Sequence, residues 1–115
     1  MPAFLLKLQM DKIRKVADLV NRLGCPVRLK PKDYPLETWT KGIGLPTDSY
    51  VELHGTWAFR EVEWLEIDSI VMEHIGRLVK PKRHDYLNDI IALLQSEEIP
   101  YSIIEGMARV PFKDF

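Results

Sequence analysis

Only one cysteine, Cys25, stands in the 115-residue chain, so no disulfide can close within it and a cysteine-rich zinc site has nothing to build on. An excess of charge is missing too: sixteen basic side chains face seventeen acidic ones, for a net charge of -1. Nucleic-acid binders draw much of their affinity from phosphate neutralisation, so this balance argues against one while leaving room for a local anion contact. No apolar run approaches the ~20 residues that span a bilayer. The opening MPAFLLKLQMDK has neither a basic n-region nor a small-residue cleavage pattern, so a cytoplasmic protein with no membrane partner is expected. Catalytic signatures are equally scarce. His54, His74 and His84 form no HExxH or i,i+4 pair, the serines lie in no GxSxG context, and GIGLP lacks the Lys-Ser/Thr of a phosphate loop. The expectation is a non-enzymatic chain with no cofactor and no metal, in which Cys25 is a small buried apolar residue.

What remains is the composition of one ordinary globular domain spanning residues 1–115, with 46% hydrophobic and 29% charged residues. Folding a chain of this mass removes about two-thirds of its surface from water, enough for a core. Ile13, Val16, Ala17, Val20 and Leu23 recur at helical spacing, predicting an amphipathic helix over 11–23 with Asp11 as N-cap and Gly24 as its stop. Phe4 to Leu8 fits either a backward extension or a strand. Residues 27–30 read as a short strand. Between Lys32 and Asp48 the pattern dissolves, punctuated by Pro35, Gly42, Gly44 and Pro46. Residues 50–54 and 59–67 read as a hairpin around Gly55. FREVEWLEI does not alternate cleanly, so either both its faces are partly covered or a bulge near Trp64 switches its register.

Residues 70–79 read as a strand pair or one strand bent around Gly76. A second helix is predicted from an Asp85 N-cap through Leu87, Ile90, Ile91 and Leu94, ending before Pro100. The tail predicts a hairpin around Glu105-Gly106 that puts Tyr101, Ile103, Ala108 and Val110 on one face; a three-residue bulged turn is the alternative. Runs of strands between two helices predict an α+β fold, an antiparallel or mixed sheet of about five strands with two main helices on one face.

Two charge blocks and three tryptophans are the candidate contact residues. Glu61, Glu63 and Glu66, beside Trp57 and Trp64, make an acidic stripe able to meet a basic partner or simply to keep a strand solvated. Trp39, in the irregular region, is the candidate exposed aromatic. Lys80, Lys82, Arg83 and His84 precede the second helix, whose free N–H groups favour an anion, although Asp85 competes for that cap.

From Arg60 onward VEWLEI, the GRLV segment, the Asp85-capped helix ending in IPY and the closing EEIPYSIIEGMARV together resemble a family of small uncharacterised bacterial α+β proteins. Its members carry an (I/V)EW(I/L)EI strand and a helix ending in IPY; their usual tryptophan-bearing first helix has no counterpart in 11–23. The resemblance covers about half the chain. It implies a bacterial cytoplasmic protein and brings no catalytic residues; some small proteins of this kind serve as immunity partners of toxins. The leading expectation is therefore a protein-binding domain, immunity-like or regulatory, with a homodimer through an unpaired edge strand also open. An anion or nucleic-acid contact through Lys80, Lys82, Arg83 and His84 is the alternative. An enzyme built on His54 or His74 with sheet carboxylates is the weaker one.

Overall fold

The computed structural model describes residues 3–45 and 49–112; Pro46, expected to punctuate the irregular stretch, and Asp48, its expected end, lie outside them. Leu, Lys, Gln and Met are strong helix formers, and the stretch from Phe4 to Leu8 continues the first helix rather than forming a strand. α1 accordingly runs Ala3–Leu23, and Asp11, expected as its cap, is an exposed mid-helix residue. The helix stops where Gly24 turns to φ +74°, its N–H bonded to the Val20 carbonyl at 2.9 Å.

Beyond the turn, β1 (Pro26–Pro31) alternates half-buried with buried residues, so Val27 and Leu29 face inward and Arg28 and Lys30 outward. β2 (Thr40–Lys41) pairs with it, held near α1 by Asn21, whose side-chain amide exchanges two 2.9 Å hydrogen bonds with the backbone of Ile43. A hairpin around Gly55 forms from β3 (Tyr50–Glu52) and β4 (Thr56–Ala58), so its second arm precedes the expected 59–67, which does not pair with β3. Phe59–Glu61 is a 3₁₀ turn, and β5 (Val62–Ile67) leaves the hairpin to lie between other strands.

The segment after β5 also departs from expectation. β6 (Ile70–Glu73) takes as partner not 75–79 but β7 (Lys82–Asp85), so Ile75, Leu78 and Val79 lie in the connecting loop. Gly76 and Pro81 interrupt any strand there. α2 (Leu87–Ser96) begins later than predicted, because Asp85 is still paired with Ile70 in β7. From that extended position its Oδ1 accepts the Leu87 N–H at 3.0 Å, and Tyr86 takes the cap position. β8 (Ser102–Ile104) and β9 (Met107–Pro111) form the closing hairpin in the two-residue register, Ile104 opposite Met107, with Glu105 and Gly106 at φ +53° and +79°.

These elements make an α+β fold. One five-stranded sheet runs β2-β1-β5-β9-β8, every neighbouring pair antiparallel, with β3–β4 and β6–β7 as separate two-stranded sheets. Val27, Leu29, Leu65, Ile67, Ala108 and Val110 on its inner face share one core with Ile13, Val16 and Val20 of α1 and Ile90 and Leu94 of α2. The register passes from Lys30↔Trp64 to Pro31↔Val62, leaving Glu63 as an extra residue. That bulge explains the broken alternation of FREVEWLEI: it turns Val62 into the core while Trp64 stays outside. Among the described residues no helix is long and apolar enough to cross a membrane.

Candidate functional site

The sheet's outer face carries a charged row that sequence spacing conceals. Cross-strand register sets Arg28 opposite Glu66 and Glu66 opposite Arg109, on β1, β5 and β9. Arg28 Nη2 lies 3.2 Å from Glu66 Oε2 and Arg109 Nη2 3.3 Å from Oε1, while Trp64 Nε1 donates to Oε1 at 3.0 Å. Each guanidinium also stacks on an indole, Arg28 at 4.3 Å from the Trp39 ring and Arg109 at 4.2 Å from that of Trp64. Glu66 is thereby only 1% exposed. A carboxylate withdrawn from water is tolerated only when paired and hydrogen-bonded, and here every oxygen is engaged. This face is a three-strand clamp whose charges point at one another.

The expected acidic stripe is correspondingly broken up. Glu66 is buried in the clamp, Glu63 pairs with Lys30 at 3.1 Å, and Glu61 sits in the preceding 3₁₀ turn, so Glu61 and Glu63 do not share a regular strand face. Trp57 belongs to the β3–β4 hairpin, where its Nε1 donates to the Leu53 carbonyl at 3.1 Å and Tyr34 meets it edge-on. Trp39, Trp57 and Trp64 are all half-buried; among the described residues Tyr34 is the aromatic most open to solvent.

The basic block lies on the strand that leads into α2. Lys82, Arg83 and His84 are strand residues of β7 and Lys80 precedes them in the loop; His84 Nε2 is 2.7 Å from Glu73 Oε2, and Asp85 occupies the first free N–H of α2. His54 and His74 are exposed and far apart in the fold's order, His54 Nε2 lying 3.4 Å from Thr38 Oγ1. Cys25 is sealed in the core, and burial, reinforced by Asp68 and Asp89, pushes its thiol up to about 11. Such a thiol stays protonated at neutral pH.

Two features missed by sequence reasoning stand out. The first is the β6–β7 hairpin, an arm whose strands pair only with each other and whose residues 72–80 are all exposed. Its outer part presents Met72 (46% exposed), Ile75 (61%), Leu78 (101%) and Val79 (56%) beside Arg77, Lys80, Lys82 and Arg83. Water-exposed large apolar side chains gathered on one projection are characteristic of contact surfaces. The interrupting Gly76 and Pro81 were the available signal that these residues belong to a loop.

The second is an open groove of about 720 Å³ between the helices, with Leu19, Leu23, Tyr86, Ala92 and Leu93 on its apolar walls. Lys15, Asp18, Arg22 and Asp89 complete its lining. Lys15 is bound to Glu97 at 2.8 Å, a contact that raises its pKa. Neither His54 nor His74 reaches this groove. Tyr86 joins the two features: its ring stacks on His84 of β7 at 5.6 Å and 8°.

Comparison with known protein families matches residues 38–111, well over half of the chain, to a family of unknown function (DUF6678). Neither the curated proteins nor the solved structures yield a match.

Proposed function

The chain belongs to the DUF6678 family of unknown function, and on that footing we propose that it is a non-enzymatic protein-binding domain whose contact surface is the β6–β7 arm. The supporting observation is the complete exposure of Leu78, flanked by Ile75, Val79 and Met72, on a hairpin outside the core. Leu78, wholly in water, forfeits roughly 1.5–3 kcal/mol relative to full burial, and the other three, about half exposed, roughly half of that each, a free energy that a partner recovers on docking. The cations beside them suit a partner with an apolar pocket and acidic rim. A binding role of this kind is in keeping with an immunity-like or regulatory protein.

A photo-crosslinking amino acid at position 78, used in cell lysate, tests this reading. A single stoichiometric protein crosslinked at low and high salt, and lost when Ile75→Ser and Val79→Ser accompany the crosslinker, is the expected result. Absence of any protein adduct refutes it. Capture of nucleic acid that disappears with salt would favour the anion-contact alternative through Lys80, Lys82 and Arg83.

A further inference from the structure

Resting on the arm as the contact surface, we infer that its partner is a second copy of this chain, each arm seated in the α1–α2 groove of the other. The walls of that groove are apolar, and the arm tip offers the apolar side chains to fill it. The arm's own groove does not receive it, since Leu78 and Ile75 are fully and largely exposed within one protomer.

Charge agrees with this pairing. The arm carries Arg77, Lys80, Lys82 and Arg83, and its acid Glu73 is held by His84. Across the contact, Glu97 neutralises Lys15, leaving Asp18 and Asp89 against the single cation Arg22 on the groove rim. A positive arm therefore meets a mildly negative groove.

Area and position then select a reciprocal arrangement. A standard interface buries about 800 Å² per partner over 20–30 residues, or roughly 30–40 Å² per residue. The tip, residues 74–81, would bury on the order of 300 Å² against an equal area of groove, giving about 600 Å² in total, the size of an adventitious contact. Two such contacts bring the total to about 1,200 Å², where specific interfaces begin. The Tyr86–His84 stack places the groove beside the base of the arm, so a single two-fold axis can relate both contacts and close the pair.

Sedimentation velocity across a concentration series tests the inference with three proteins: the wild type, an arm variant Ile75→Ser/Leu78→Ser, and a groove variant Ala92→Glu. Both variants alter exposed positions, and their folding is to be checked by circular dichroism. The wild type is expected to dimerise, and each variant alone to dissociate roughly a hundredfold more readily. Mixing the two variants is expected to give at most weak association, because the heterodimer keeps a single intact arm-in-groove contact of about 600 Å². A dimer lost in the arm variant but unaffected by Ala92→Glu overturns the groove as the seat. A wild type that stays monomeric overturns self-association. In that case, crosslinking of residue 78 to a different protein leaves the arm reading standing, and its absence removes both.

Discussion

Replacing Glu66 by glutamine keeps the shape of the side chain and one oxygen acceptor for Trp64, but removes the charge that Arg28 and Arg109 share. Breaking a buried ion pair from one side costs about 3–5 kcal/mol when the remaining charge is fully sealed. Here the arginine side chains are 23% and 31% exposed, so water partly compensates them and the expected loss falls to about 2–3 kcal/mol. Urea denaturation followed by circular dichroism reads this directly. With an m-value of roughly 1.5 kcal/mol per molar, the midpoint should drop by roughly 1.5 M at unchanged m. Replacing all three charges together, Arg28→Met/Glu66→Met/Arg109→Met, should be less harmful than Glu66→Gln, since no charge is left without its partner. A Glu66→Gln protein within about 0.5 kcal/mol of wild type would refute the reasoning, and so would a triple variant weaker than the single one.

Asn21→Ala removes both hydrogen bonds to Ile43 and should cost about 1–2 kcal/mol in thermal unfolding, with faster amide exchange at Ile43; unchanged exchange would show that the loop is held by other contacts. For Cys25, the folded thiol holds its proton up to about 11, against an ordinary 9.0. Its contribution is therefore constant below pH 9, and stability should fall as pH rises from 9 to 11, by up to roughly 2–3 kcal/mol. A Cys25→Ala chain should lack that part of the slope in alkaline denaturation curves, and identical slopes would contradict the assignment.

Local periodicity carried much of the fold. The apolar stripe from Ile13 to Leu23, the alternation in VRLK and the stripe from Leu87 to Leu94 each report a face that must meet the core, and the structure buries those faces. The Glu105-Gly106 turn was readable because it leaves Ala108 and Val110 in register with the sheet. The clamp was not readable, because Glu66 looks like any strand glutamate until Arg28 and Arg109, 38 and 43 residues away, are brought beside it. The arm escaped for the opposite reason. Ile75, Leu78 and Val79 are apolar enough to suggest burial, and no local pattern says that such residues stay exposed.

The strand order bears on where this protein can be cut. The family match begins at residue 38, after β1, yet β1 lies between β2 and β5 in the sheet. A fragment trimmed to residues 38–111 would lose the hydrogen-bonding neighbour of β5 along one whole edge and leave β2 with no strand to join. It would also surrender Arg28 and the core face of α1, so that Glu66 faced a single arginine over an opened interior. The matched segment and the hydrogen-bonded sheet therefore have different boundaries in this chain. Excision at the edge of the match would expose an unpaired strand edge that invites aggregation.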